Sequence, residues 1–210
     1  MRRDPQGTAR KLYEVASTQG GYFTSAQALA AGYSYRIQHY HVKRGNWLKV
    51  GRGIYRLRDY PPSEREDLIR LTLWSHNRRG EPQAVASHET ALSLHSMSDV
   101  MPSRIHLTVP KRGFRKEPPA GVVLHRAELS QSEIEQRHGY RVTTPLRTLL
   151  DVAASPLSQE HLNQAVKDGI DQGLLRYRLL KRIDAPPPVR QRIDQALAAF
   201  DKHHNEERLR

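Results

Sequence analysis

The chain has 210 residues, 37% of them hydrophobic, with 34 Lys+Arg against 22 Asp+Glu and a formal charge of +12, which excludes a disordered polymer and leads us to expect two domains. The absence of cysteine excludes a disulfide framework, thiolate metal sites, iron–sulfur clusters and a cysteine nucleophile, and makes the cytoplasm the expected location. No apolar run approaches the roughly 18–20 residues that cross a bilayer, and Met1-Arg2-Arg3-Asp4-Pro5 leads into a polar stretch, so neither membrane insertion nor secretion is expected.

The charge is uneven. Residues 1–60 carry 11 Lys+Arg and 3 Asp+Glu, and no acidic residue falls between Glu14 and Asp59, a one-signed stretch of the kind that attracts polyanions. Along it, Ala9, Leu12, Val15 and Ala16 recur at helical spacing until Gly20-Gly21. Thr24-Ser25-Ala26-Gln27 has capping-box spacing and Gly32 suits a left-handed C-cap, which predicts a short second helix. Ser34 is placed to cap a third helix ending at Gly45, and two short helices with a Gly-containing turn form the pattern of a helix-turn-helix.

A helical wheel from Ile37 puts Ile37, Tyr40, His41 and Arg44 on one side and Tyr35, Arg36, His39, Val42 and Lys43 on the other, the latter read as the exposed face. Arg is the commonest bidentate reader of guanine, so Arg36 is the leading base-reading candidate. Gln38, on the flank, suits either an adenine or a phosphate, and Lys43 a backbone contact. The next segment, Trp47 to Leu57, reads as a hairpin, or wing, turning at Arg52-Gly53. The register that best segregates its faces pairs Val50 with Tyr55, Leu48 with Leu57 and Lys49 with Arg56. Facing like charges destabilise a hairpin unless an anion lies against them, and the phosphate backbone is the obvious anion.

Tyr60-Pro61-Pro62-Ser63 reads as a linker, followed by a second capping box, Ser63-x-x-Glu66, and a helix with Leu68, Ile69, Leu71, Leu73 and Trp74. Beyond Gly80-Glu81-Pro82 come a helical stretch over Ser87–Ser96, strands over Arg104–Val109, Val122–His125 and Tyr140–Val142, and a helix opened by Thr144-Pro145. Further helices are expected over Glu160–Leu174 and Tyr177–Ile183. After Pro186-Pro187-Pro188, a final helix aligns Val189, Ile193, Ala196, Leu197 and Phe200 in one stripe that packs on this domain, a second copy or a partner.

Catalytic and metal motifs are missing. His88-Glu89 begins like H-E-x-x-H, but position 92 is Leu92; His88 and His95 sit two turns apart, too far to chelate one ion alone. No phosphate-binding glycine loop is present, no elbow sequence exposes Ser87, Ser93 or Ser96, and no Glu is followed two positions later by Lys as in Mg²⁺-dependent nucleases. We therefore expect no enzyme, no catalytic residue, no metal and no cofactor. Lys111, Arg112, Arg115 and Lys116 form a second basic cluster around Phe114, either a solvated loop or a contact for DNA, RNA or an acidic partner, with Phe114 available for stacking.

Several separate stretches resemble one family, the AbiEi-type antitoxins of type IV toxin–antitoxin systems, which are winged-helix transcriptional regulators. They are Gly21-Tyr22-Phe23-Thr24, the Ser34–Gly45 helix, Val50–Leu57, Ala86–Leu92, Ile105–Pro110 and Thr144–Asp151, in order over residues 8–175. The resemblance implies an antitoxin that binds inverted repeats upstream of its own operon, represses transcription and counters a nucleotidyltransferase toxin, with or without a stable complex. It also carries the DNA-contact role onto the whole third helix and the wing. The expected DNA-binding set is therefore Ser34, Tyr35, Arg36, Gln38, His39, Lys43, Arg44, Lys49, Arg52 and Arg56. The expected fold is α+β: a winged helix-turn-helix over 1–60, a mixed α/β antitoxin-type domain over 61–185 and a C-terminal helix over 186–210. The chain is expected to act as a monomer or weak homodimer that pairs on double-stranded DNA. The competing readings are a DNA-targeted nuclease and a protein-interaction module with a basic face.

Overall fold

The computed structural model describes residues 4–99 and 101–208; the Met1–Arg3 segment of the expected polar N-terminus, Val100, Leu209 and Arg210 lie outside the described residues. The chain forms two compact units, one reaching to Ala84 and including Gln136–Arg141, the other comprising Val85–Glu135 and the chain from Val142 onward. Among the described residues no helix is long and apolar enough to cross a membrane.

The first unit runs α1 (Pro5–Ser17), β1 (Tyr22–Thr24), α2 (Ser25–Ala31), α3 (Tyr35–Lys43), β2 (Trp47–Gly51), β3 (Ile54–Leu57) and α4 (Glu66–Trp74). Helix α1 starts earlier than its apolar pattern because the Asp4 carboxylate accepts from the Gln6 and Gly7 amides, with Pro5 at the first position. At α2 the capping box forms: the Gln27 amide donates to Thr24 Oγ1 at 3.2 Å and the Thr24 amide to Gln27 Oε1 at 2.8 Å. Gly32 ends the helix at φ 108°, a conformation that strains any side chain.

The strands form an antiparallel sheet in the order β1-β3-β2. The hairpin turns at Arg52-Gly53 as expected, but a bulge between Lys49 and Gly51 changes the register: Lys49 lies opposite Tyr55, and Leu48 opposite Arg56. One face carries Phe23, Trp47, Tyr55 and Leu57 into a core with Leu12, Ala16 and Ala28. The other carries Tyr22 and Ile54 against Ile69 and Leu73 of α4, with Tyr140 packed on the same cluster. A sheet with two apolar faces needs both covered, which is why this unit does not end at residue 60 but takes in α4 and the 136–141 segment. The capping box expected at Ser63 is only half formed. The Ser63 amide donates to Glu66 Oε1, but α4 begins at Glu66 itself and the Glu66 carboxylate also takes the Tyr22 hydroxyl at 2.7 Å.

The second unit contains β4 (Val85–Ala86), α5 (His88–Leu94), β5 (Ile105–Val109), β6 (Val122–Arg126), a 3₁₀ turn (Gln131–Glu133), β7 (Ile134–Gln136), β8 (Arg141–Thr143), α6 (Pro145–Ala153), α7 (Gln159–Asp171), α8 (Tyr177–Leu180) and α9 (Pro187–Arg208). The terminal residues of β7 and β8, Gln136 and Arg141, fall in the first unit. The five-stranded sheet has the order β6-β5-β4-β8-β7; β4 pairs antiparallel with β5 and parallel with β8, and β5 pairs parallel with β6. Leu92, Leu149, Val152, Leu162 and Val166 share one core with Ile193, Ala196 and Leu197 of α9, so the last helix is part of this unit and not a separate segment.

Candidate nucleic-acid interface

Which face of α3 looks outward is decided by its inner contacts. Ile37 and Val42 pack on the first unit's core, and the His41 ring stacks on Trp47 at 4.8 Å and 14°. Gln38, with 2% of its surface exposed, is the buried polar anchor: Ser25 Oγ donates to its Oε1 at 2.6 Å, while its Nε2 donates to the carbonyls of Tyr33 and Ser25 at 3.1 and 3.2 Å. With both ends of the amide engaged inside the fold, Gln38 is not available to a base or a phosphate, contrary to the expectation from its type and position.

The wheel is thereby rotated. Val42 turns inward, and Tyr40, which was assigned to the inner side, is 52% exposed. The outer surface of α3 consists of Tyr35, Arg36, His39, Tyr40, Lys43 and Arg44, with Tyr35 69% exposed and the Arg44 guanidinium 5.5 Å from the Tyr40 ring centre. Ser34 begins the helix half-buried, and its hydroxyl makes no capping bond. In the hairpin, Lys49 and Arg52 are exposed. Directly opposed residues share a sheet face, so Lys49 lies on the face of Trp47 and Tyr55, the face on which α3 packs.

Arg56 does not join them. The bulge turns it to the other face, where it is 9% exposed and its guanidinium donates to the carbonyls of Tyr60 at 2.7 Å and Pro61 at 3.1 Å. It also sits 3.4 Å from Glu66 Oε1 and 5.7 Å from the Tyr22 ring centre. A buried guanidinium needs pairing and hydrogen bonds, and the terminal nitrogens of Arg56 find them by tying the hairpin to the following chain and to α4, while its Nε has no partner among the described residues. The Tyr22 hydroxyl is pushed up to about 12 by burial and by its bond to Glu66, whose carboxyl that bond holds low. The expected Lys49–Arg56 charge pair, and the anion it called for, do not exist in this register.

In the second unit, Lys111, Arg112, Arg115 and Lys116 are exposed, but Phe114 is 3% exposed. Its ring anchors the loop between β5 and β6 instead of offering a stacking surface, and its carbonyl accepts from Arg126 at 3.3 Å.

Three histidines far apart in sequence also meet there. His88 stacks on His125 with ring centres 3.5 Å apart, and His106 Nδ1 lies 3.1 Å from His125 Nε2. Glu89 Oε2 stands 3.7 Å from the other nitrogen of His106, and Ser87 Oγ 3.0 Å from His88 Nδ1. His88 has φ 53°, strained for a residue with a side chain. Burial, then the neighbouring His125, His106 and Arg147, push His88 down to about 3; burial also lowers His106 and His125. All three are therefore neutral at pH 7. His95 stands apart from this cluster: it is a buried histidine whose Nε2 is 2.7 Å from the Thr143 carbonyl. Among the described residues no group of three or more His, Asp or Glu side chains is placed to hold a metal ion.

A helix-turn-helix followed by a hairpin wing, with cations and aromatics on the outer face of its second helix, defines the class: a winged-helix DNA-binding regulator carrying an additional α+β unit. A family profile described as a transcriptional regulator, AbiEi antitoxin, matches residues 10–58, and a profile described as the AbiEi antitoxin C-terminal domain matches residues 84–168. The chain belongs to the AbiEi antitoxin family, and it is an antitoxin and DNA-binding regulator. No curated protein matches the chain.

Proposed function

We propose that the protein represses its own operon by binding inverted repeats upstream of it, and counters a nucleotidyltransferase toxin. The observation that carries the DNA reading is the outer face of α3. It holds Tyr35, Arg36, His39, Tyr40, Lys43 and Arg44 in a stretch without a single carboxylate from Val15 to Arg58, with Lys49 exposed on the sheet face against which α3 packs. Arg36, near the helix N-terminus, reads a base edge; Lys43, Lys49 and Arg52 neutralise phosphates and supply affinity. Two copies on one inverted repeat present two such helices to successive turns of the major groove.

The test is fluorescence anisotropy of the full chain on its own upstream duplex and on a scrambled duplex, across a salt series. Preference for the upstream sequence that survives rising salt supports the reading; equal, salt-labile binding to both duplexes refutes it. For the toxin, co-expression with an adjacent nucleotidyltransferase-type reading frame should restore growth, and failure to restore it removes that part of the proposal.

A further inference from the structure

The first unit holds a cavity of about 530 Å³, walled chiefly by Leu12, Tyr13, Tyr33, His41, Trp47 and Tyr60. Small-molecule sites fall at roughly 300–1,000 Å³, with mostly apolar and aromatic walls and a few polar groups that fix orientation. Here the rings already pack on one another as flat bodies: Tyr33 stands edge-on to Trp47 at 4.9 Å and to His41 at 5.4 Å, and His41 lies flat on Trp47. Such walls match another flat ring. The charged groups in the lining are Arg10 and Arg58 against one carboxylate, Asp59. Among the described residues Arg10 otherwise holds a surface pair with Glu14, with 82% and 60% of the two side chains exposed. A pair of that kind contributes little, so the guanidinium is available to an incoming anion.

We propose that this cavity is an effector site for a planar aromatic acid of about ten to fifteen non-hydrogen atoms. Its floor joins the two halves of the candidate DNA surface. His41 belongs to the inner face of α3, Trp47 opens the hairpin that carries Lys49 and Arg52, and Asn46 between them donates to His41 Nδ1 at 3.1 Å. A ring seated against His41 and Trp47 resets α3 relative to the hairpin, and so changes affinity for DNA. The coupling rests on the DNA reading above; occupancy of the cavity does not.

Calorimetry of the full chain with 1-naphthoate and its neutral isostere 1-naphthamide tests occupancy. The expected result is one saturable site for the acid, with a Kd on the order of 1 mM or tighter, and at least tenfold weaker binding of the amide. Ala9→Phe, at an exposed α1 position that lines the cavity, fills it and abolishes binding, while Arg10→Gln narrows the gap between acid and amide. If Ala9→Phe does not fold, Tyr13→Ala, at a 56% exposed wall residue, serves in its place and is expected to weaken the acid severalfold. No saturable binding by the wild type, equal affinity for acid and amide, or undiminished binding by the cavity variants overturns the site. Saturating naphthoate should then change affinity for the upstream duplex at least fivefold, and DNA should change naphthoate affinity by the same factor. Unchanged DNA affinity with naphthoate bound overturns the effector role. Naphthoate binding by a protein that shows no duplex preference leaves the site standing and refutes the DNA reading instead.

Discussion

Arg56 and Lys49 were expected to face one another across the hairpin and share a phosphate; the bulged register separates them, and their substitution should have opposite signatures. For Arg56→Met, the losses are the two short carbonyl bonds at 2.7 and 3.1 Å, a marginal third to the Leu57 carbonyl at 3.4 Å, a 3.4 Å ion pair with a carboxylate whose side chain is 33% exposed, and the stack over Tyr22. Hydrogen bonds from a charged donor contribute about 1.5 kcal/mol each at the low end, the cation–π contact about 0.5–1 kcal/mol, and the part-exposed ion pair less than about 1 kcal/mol. Against these, an apolar side chain removes the desolvation penalty of a guanidinium whose Nε has no hydrogen-bond partner. The balance is a loss of about 3 kcal/mol. Both tryptophans, Trp47 and Trp74, belong to the first unit, so their fluorescence in a urea titration reports that unit alone. With an m-value of about 1–2 kcal/mol/M, the midpoint should fall by roughly 2 M, and the salt slope of DNA binding by the remaining folded protein should not change. Lys49→Ala should do the reverse: an unmoved midpoint and a salt slope lower by about one unit. If Arg56→Met left the midpoint unmoved and reduced the salt slope by one, the bulged register and the buried role of Arg56 would both be wrong.

Arg36→Ala should weaken upstream DNA binding by about 1–3 kcal/mol and relax preference at one base position, seen by anisotropy on a panel of single-base operator variants; unchanged preference across the panel excludes Arg36 as a base reader. Gln38→Leu should leave base preference intact and lower the stability of the first unit by about 1–3 kcal/mol, because two carbonyls and the Ser25 hydroxyl lose a buried partner. A shift in base preference without loss of stability would return Gln38 to the groove. The histidine cluster predicts acid sensitivity of the second unit. A histidine whose folded pKa lies below its unfolded value near 6.5 binds protons more weakly when folded, so its stabilisation is complete above pH 6.5 and is lost as pH falls toward the folded value, about 3 for His88. Each such histidine gives a slope of up to about 1.4 kcal/mol per pH unit. The urea midpoint of the second unit, followed by far-ultraviolet circular dichroism, should drop between pH 7 and 5, and His88→Asn, whose side chain tolerates φ 53°, should flatten the drop. A midpoint indifferent to pH contradicts the clustered geometry.

What the sequence made legible is what is settled within a few residues. The Thr24 capping box, the Gly32 stop, the Arg52-Gly53 turn and the Thr144 cap are local bargains between a side chain and the nearest backbone groups, and each forms where its spacing predicts. Strands β1, β4 and β7, of three, two and three residues, carry no period for a pattern to show, and they exist because a neighbouring strand completes them. The Tyr60-Pro61-Pro62 linker predicts the first domain boundary because prolines interrupt regular structure. Which unit α4 joins is decided by Ile69 and Leu73 meeting Tyr22 and Ile54, residues whose proximity no local signal carries.

The site residues divide along the same line. Arg36, Lys43, Lys49 and Arg52 are exposed where charge and position anticipated, and among the described residues no buried carbonyl or carboxylate takes their side chains. Gln38 and Arg56 have side chains equally suited to DNA, and the fold itself claims them. The Tyr33 carbonyl in the α2–α3 junction and the Ser25 carbonyl at the start of α2 both turn inward, and Gln38 is the amide at hand. A hairpin that continues into Tyr60 and Pro61 leaves two carbonyls beside an apolar face, and the long side chain of Arg56 reaches both. A recognition helix therefore has to be read by subtraction: first the groups that buried backbone demands, then the groups left over for a ligand. Applied to α3, that order removes Gln38 and restores Tyr40, whose ring, exposed beside Arg44, is the aromatic that the helical wheel had turned inward.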